Sequence, residues 1–134
     1  MNITTEQVKE LRDATGISIM QCKKALEEVG GDMEKALMIL KKKSSEVAAK
    51  KSDREATDGL VVSKSAGAKV AMLTVYCETD FVAKNDDFVK LANDLADIAL
   101  ADGESAVKEK GQELVSLVVQ KVGENIQIGD VAVA

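Results

Sequence analysis

Residues 77–85 read Cys-Glu-Thr-Asp-Phe-Val-Ala-Lys-Asn, and the hydrophobic period changes on either side of them. Residues 70–76, which precede them, are apolar in the manner of a β-strand, whereas residues 86–101 repeat apolar side chains at helical spacing. The nine residues are therefore predicted to form a strand-to-helix turn, a position that often carries function. Phe81 stands out because the chain has two phenylalanines, one tyrosine and no tryptophan.

Spacing alone leaves two interpretations of Phe81. In a continuous helix, Phe81 would extend the buried apolar stripe of residues 88–98. Asn85, however, is a suitable N-cap, and the two carboxylates after it favour the positive end of a helix dipole. A helix that begins there would separate Phe81 from the stripe. Spacing favours the buried interpretation, because exposed aromatic residues are the rarer case.

The composition limits the classes of function. The 134 residues carry a net charge of -5, whereas a free nucleic-acid-binding protein normally has an excess of basic charge. The chain contains no histidine and so lacks the commonest general base and zinc ligand. Cys22 and Cys77 are too far apart in sequence for a CxxC motif. We therefore expect no enzyme, no metal site and no cofactor.

The sequence shows no targeting or membrane-spanning pattern. Met1 leads directly into a charged helix, which predicts the absence of a signal peptide. No apolar run approaches the length needed to span a bilayer. Both cysteines are interpreted as reduced. These features predict a cytoplasmic protein that does not associate with membranes.

Residues 1–43 contain the signatures of three helices. Each has a residue suited to N-capping, and the first two have a glutamine three residues later, as in a capping box. We predict a compact bundle that functions by presenting a surface. Met20 lies off the apolar stripe of its helix, which equally suits a partner contact or scattered surface hydrophobicity. The predicted N-caps are Thr4, Ser18 and Asp32.

Residues 44–58 are mostly charged or polar and predict a solvated helical linker that is polar on all sides. Residues 59–134 predict a third unit in which two strands, two helices and a final strand follow one another. The predicted fold class is α+β, with a three-stranded antiparallel sheet covered by two helices on one face. An open edge and an uncovered face favour self-association.

Three separated stretches of the chain carry its most distinctive motifs. They are Val8-Lys9-Glu10-Leu11-Arg12 with Thr15-Gly16, Met20 and Cys22-Lys23-Lys24-Ala25-Leu26; Glu78-Thr79-Asp80-Phe81-Val82-Ala83-Lys84-Asn85; and Gly123-Glu124-Asn125-Ile126. Together these motifs resemble the bacterial translation elongation factor Ts family, over essentially the whole chain.

The resemblance implies a guanine-nucleotide exchange factor for the GTPase elongation factor Tu. It implies that the bundle has a ubiquitin-associated-like fold and binds the GTPase domain, and that Phe81 wedges into the GTPase and disturbs its magnesium and phosphate region. An exposed Phe81 is then expected, against the preference from spacing. The implied partner-binding residues are Arg12, Ile19, Met20 and Lys23 in the bundle, Thr79, Asp80, Phe81 and Val82 in the turn, and Val122 and Gly123 beside it.

The chain also departs from the family pattern. Longer members continue with a second core half, a coiled coil and a further module, so this sequence is either a short form that pairs two copies through the sheet or a fragment. Gly129 and Asp130 stand where many relatives carry basic residues, which puts a contact there in doubt. The alternative function is a ubiquitin-associated-like adaptor without exchange activity. A small enzyme is disfavoured because no nucleophile and base cluster together.

Overall fold

The computed structural model describes residues 3–134 and confirms the α+β fold class. Helices come first, then a hairpin, three further helices and a last strand. Within residues 3–134, no helix is both long and apolar enough to cross a membrane. The elements are α1 Thr5–Thr15, α2 Ile19–Glu28, α3 Met33–Lys51, β1 Asp58–Ala66, β2 Lys69–Cys77, α4 Asp80–Ala83, α5 Asp86–Asp102, α6 Glu104–Val122 and β3 Gln127–Val133.

The three N-terminal helices begin at the predicted caps. Thr4 and Gln7 form the full capping box of α1, and Gly16 ends that helix in the left-handed conformation. Ser18 and Asp32 cap α2 and α3 through their side chains. The helices enclose a small apolar core whose fully buried members are Leu11, Cys22, Ala25, Leu26, Ala36 and Leu40. The likeness of this bundle to a ubiquitin-associated fold stays a prediction.

Helix α3 continues without a break from the bundle into the predicted linker. Ser44 is fully buried and its hydroxyl donates a hydrogen bond to the side chain of Gln120 on α6. Val47 and Ala48 pack against the larger core. The expectation of a linker polar on all sides is therefore wrong for this face, because a few small and apolar residues among many charges suffice to pack against α6. The division into units at residues 43 and 58 stays a prediction.

The three strands form an antiparallel sheet in the order β1-β2-β3. Helices α5 and α6 cover one face, as predicted, and the inward side chains of β2 pack beneath them with Phe88 and Leu95 of α5. On the opposite face, exposed apolar side chains line the sheet. They are Val61, Val70, Met72 and Tyr76.

Strand β3 is irregular where Gly129 and Asp130 follow Ile128. The register against β2 shifts between Leu73 and Val75. The backbone N–H of Asp130 donates a hydrogen bond of 3.0 Å to the Thr74 hydroxyl. A Cβ atom at position 129 would collide with the Thr74 hydroxyl and the Tyr76 ring. Glycine is therefore required here by the close approach of two β2 side chains.

Candidate partner-binding site

The turn after β2 is a single turn of helix, α4, that projects an aromatic ring into solvent. Phe81 is 83% exposed, and Asp80 beside it is also exposed. The next two residues, Val82 and Ala83, are buried in the core of the sheet domain. One side of the turn is thus anchored while the other presents an acid and a phenyl ring.

Asn85 decides between the two interpretations of Phe81, because it caps a new helix. Its side-chain oxygen accepts hydrogen bonds from the backbone N–H groups of Asp87 and Phe88, at 2.8 and 3.4 Å. Helix α5 therefore begins anew at Asp86. Phe88 is fully buried while Phe81 lies outside the stripe. The buried interpretation from spacing is wrong, and the exposure expected from the family resemblance is confirmed.

The N-terminal end of α4 is held by the carboxylate of Glu124, which lies between α6 and β3. One carboxylate oxygen, Oε1, accepts hydrogen bonds from the backbone N–H groups of Glu78 and Thr79 at 3.1 and 3.0 Å. The other, Oε2, accepts the Thr79 hydroxyl proton at 2.7 Å. The Thr79 hydroxyl oxygen in turn accepts from the Val82 N–H at 3.4 Å, which caps α4.

Glu78 makes the reciprocal contact. Its Oε2 atom accepts the backbone N–H of Asn125 at 2.6 Å and lies 3.6 Å from a guanidinium nitrogen of Arg54. The Asn125 side chain donates to the backbone carbonyl of Arg54 at 2.6 Å. The segment after α3, the turn before α4 and the segment after α6 are therefore tied together by polar contacts.

Cys77 lies buried at the end of β2, and its Sγ donates a hydrogen bond to the Thr79 carbonyl oxygen at 3.1 Å. Burial, and after it the nearby negative charge of Glu124, raise the pKa of this thiol to about 11. A thiol with such a pKa is protonated at neutral pH and is a poor nucleophile. Cys77 is thus a packing residue that also supports the turn.

The bundle residues implied by the resemblance lie on its outer surface. Met20 is 81% exposed and Ile19, at the start of α2, is 54% exposed. Lys23 is exposed one turn further along α2. Arg12 is exposed on α1 beside Asp13, with 3.7 Å between their charged groups. Met20 and Ile19 thus expose apolar surface about one helical turn from the ammonium-bearing side chain of Lys23.

The last turn of α6 contacts both the bundle and the start of α5. The Gln120 side chain donates to the Gln21 side chain at 3.2 Å, and a Cβ atom on Gly16 would contact the Lys121 side chain. Lys121 also pairs with Asp87 at the start of α5, at 3.1 Å. Lys121 thereby places the bundle beside the start of α5, the helix that follows the turn.

Val122 and Gly123 end this helix. Val122 is partly buried, and Gly123 is exposed with a φ of 78°, the left-handed conformation that ends α6. Val82, by contrast, is buried. It can support the turn from beneath but is poorly placed for a direct contact with a partner.

Sequence reasoning missed the polar contacts that hold the turn. Glu124 and Asn125 belong to a family motif and Arg54 belongs to the predicted linker, but no contact between these residues was predicted. A usable signal was present, since two carboxylates and an amide lie in segments next to apolar strands, where partly buried polar groups need hydrogen-bond partners. Their pairing across 46 residues could not be read from local pattern. In residues 3–134, no group of three or more acidic or cysteine side chains is arranged to hold a metal ion.

Comparisons with known proteins find the same family that the sequence motifs resemble. The family model described as "Elongation factor TS" matches residues 78–134. A protein named elongation factor Ts from Psychrobacter sp. (strain PRwf-1) is 44% identical over 94% of this chain and 47% of its own length. The protein of that name from Chlorobaculum parvum is 43% identical over 94% of the chain and 49% of its length, and that from Methylococcus capsulatus is 44% identical over 96% and 48%. The chain spans about half the length of the curated relatives it matches.

Proposed function

Because the chain belongs to the elongation factor Ts family, we propose that it acts in translation elongation as a guanine-nucleotide exchange factor for elongation factor Tu. The observation that carries the proposal is Phe81, which is 83% exposed on a turn held at its N-terminal end by Glu124 and at its C-terminal end by the buried Val82 and Ala83. An exposed phenylalanine contributes little to the fold. A ring held in this way suits insertion into a partner.

The mechanism is a thermodynamic linkage between two ligands of the GTPase. A factor that binds best to a GTPase conformation with poor magnesium and phosphate coordination lowers the affinity for nucleotide, and nucleotide lowers the affinity for the factor by the same ratio. Phe81 would stabilise such a conformation by wedging between side chains of the GTPase near its magnesium site. Asp80 would add a negative charge where the diphosphate is held by positive charge.

No covalent step is part of this proposal, so the chain would be a binding protein and not an enzyme. GTP would rebind to the emptied GTPase and displace the factor. The setting would be the cytoplasm, where translation elongation occurs. Direct contact with nucleic acid is not needed, in keeping with the net charge of -5.

The bundle would supply much of the affinity for the GTPase. Met20 and Ile19 offer apolar area without cost to the bundle core, since both are exposed. Arg12 and Lys23 are exposed on α1 and α2 and would steer an acidic partner surface. Val122 and Gly123, at the end of α6, would extend the contact. Affinity and nucleotide release would thus depend on different parts of the chain.

Self-association through the open face of the sheet is part of the same proposal. Val61, Met72 and Tyr76 form exposed apolar surface on the side opposite α5 and α6. Contiguous apolar surface of this kind is characteristic of interfaces. Two copies that pair these faces would bury it.

The deciding experiment measures release of a fluorescent GDP analogue from elongation factor Tu. Adding the chain should accelerate release in a saturable manner, and excess unlabelled GDP should prevent rebinding. Binding without acceleration would leave the alternative, a ubiquitin-associated-like adaptor without exchange activity. That outcome would contradict the exchange proposal.

A further inference from the structure

We infer that Glu124 is a positioning residue for nucleotide exchange, because its carboxylate fixes the turn that presents Asp80 and Phe81. The inference rests on the proposed function. Glu124 would act through its neighbours, because the surface that contacts the GTPase is formed by Asp80 and Phe81.

Helix α4 needs external support to keep one conformation. It spans only Asp80–Ala83, and a single helical turn is unstable by itself because nucleation fixes several backbone angles for very few hydrogen bonds. The exposed ring of Phe81 contributes no packing that could compensate. Val82 and Ala83 anchor the C-terminal side in the core. The N-terminal side depends on hydrogen bonds.

Glu124 supplies those hydrogen bonds, and they continue through Thr79 to the first turn of α4. Its carboxylate accepts from two consecutive backbone N–H groups and from the Thr79 hydroxyl. Because that hydroxyl donates to Glu124, its oxygen is directed toward the N–H of Val82, which it caps. A carboxylate offers only acceptors and thus matches a set of three donors, with bonds strengthened by its charge.

Glu124 can act as a fixed point because its own segment is held. The neighbouring Asn125 is 2% exposed, and its backbone N–H and side chain are bound by Glu78 and by the Arg54 carbonyl oxygen. The preceding Gly123 ends α6, and its carbonyl oxygen accepts a hydrogen bond of 3.4 Å from Arg54. The carboxylate is thus carried by a segment tied to α6, to the turn before α4 and to the segment after α3.

Glu124→Gln separates positioning from mere stability. The amide keeps the size of the side chain, but it loses the charge and replaces one acceptor oxygen by a donor. Hydrogen exchange in the isolated chain should then speed up at the amides of residues 78–83, with the rest of the sheet unchanged. The maximal rate of stimulated GDP release should fall about tenfold, the scale of loss when a reacting group is no longer preorganised. The concentration giving half-maximal stimulation should change less than about twofold, since the bundle surface is untouched.

Two further comparisons complete the test. Glu113→Gln is the matched control on α6. Glu113 makes an exposed ion pair with Lys41, with 3.3 Å between the charged atoms, and takes no part in the hydrogen bonds that hold the turn. This substitution should change neither the hydrogen exchange of residues 78–83 nor the maximal rate of GDP release. Thr79→Val should reproduce both effects of Glu124→Gln by removing the hydroxyl. Thr79→Ser, which restores the hydroxyl, should recover most of the loss.

The outcomes are distinguishable. If the wild-type chain does not accelerate GDP release, the proposed function fails and the inference falls with it. If the wild type is active and Glu124→Gln releases GDP at the wild-type maximal rate, the inference alone is overturned. Unchanged hydrogen exchange at residues 78–83 in Glu124→Gln also overturns it, as does an equal fall for Glu113→Gln.

Discussion

Phe81 and Phe88 show how position decides what one type of side chain does. Seven residues separate them, yet Phe81 is 83% exposed and Phe88 is fully buried. The break between α4 and α5 at Asn85 causes the difference, because it turns the backbone before the apolar stripe begins. The two phenylalanines therefore form a matched pair for separating function from stability.

Phe81→Ala should reduce the maximal rate of stimulated GDP release at least about tenfold, because the variant lacks the wedge that favours the nucleotide-poor GTPase conformation. The melting temperature should stay within about 2 °C of the wild-type value, since an exposed ring buries little area. Stopped-flow fluorescence and thermal unfolding measure the two quantities.

Phe88→Ala is the control for that prediction. It removes a buried ring and should lower the free energy of unfolding by about 3 to 5 kcal/mol. A loss of stability in Phe81→Ala comparable to that in Phe88→Ala would mark Phe81 as a core residue and contradict the proposed role.

Cys77 gives a prediction for pH. Its pKa is raised from 9.0 to about 11 in the folded chain, first by burial and then by the charge of Glu124. Between these two values the unfolded chain has lost the thiol proton and the folded chain retains it. The contribution of Cys77 to stability is therefore fully present below pH 9 and is lost as the pH rises toward 11, by at most about 1.4 kcal/mol per pH unit.

Urea unfolding from pH 8 to 10.5 tests this expectation. The wild type should lose stability faster than Cys77→Ala, which lacks the titrating group although it is less stable at pH 8. Parallel pH profiles for the two proteins would show that the thiol is not protected by the fold. Alkylation of Cys77 by iodoacetamide at pH 7.5 should likewise be slow in the folded chain.

At the scale of elements, the proposed function assigns binding to the bundle and nucleotide release to the turn. Helix α2 presents Met20 on the side away from the bundle core, and α4 presents Phe81. The last turn of α6 contacts α2 through Gln120 and the start of α5 through Lys121. A partner that contacts both elements would be oriented by the bundle before the ring acts.

Met20→Ala should therefore weaken complex formation about tenfold while the rate at saturation changes little. The loss reflects the apolar contact area of a well-placed interface side chain. Titration calorimetry with nucleotide-free elongation factor Tu measures the affinity. Met38→Ala provides the control, because Met38 is exposed on α3 to a similar degree, at 69%. Equal effects of the two substitutions would remove Met20 from the proposed contact.

At the scale of the whole molecule, the sheet separates two faces with different surroundings. One face is covered by α5 and α6, whereas the other exposes Val61, Met72 and Tyr76. Charged side chains placed on the open face should oppose the pairing of two copies, because each would have to leave water without a partner.

Val61→Glu should therefore shift the chain toward monomer in sedimentation equilibrium. Val89→Glu is the matched control, since Val89 is an exposed valine on α5, away from the open face. It should leave the association unchanged. A wild-type chain that is monomeric at all concentrations measured would contradict the predicted self-association.

Local pattern was sufficient for the elements. The N-caps Thr4, Ser18, Asp32 and Asn85 determine where their helices begin, because each side chain satisfies backbone N–H groups a few residues away. The change from helical to alternating period placed the hairpin and the helices that follow it. The sequence motifs also led to the family and to an exposed Phe81, which spacing had argued against.

Only the tertiary structure decided how distant segments meet. Glu124 and Thr79 lie 45 residues apart and Arg54 and Asn125 lie 71 apart, so neither contact leaves a periodic trace. The packing of Ser44 against α6 was hidden in the same way by the charges around it. Helix caps depend on neighbours in the chain and can be read from it. The polar contacts that hold Phe81 in place depend on neighbours in space, which exist only once the sheet and helices have packed.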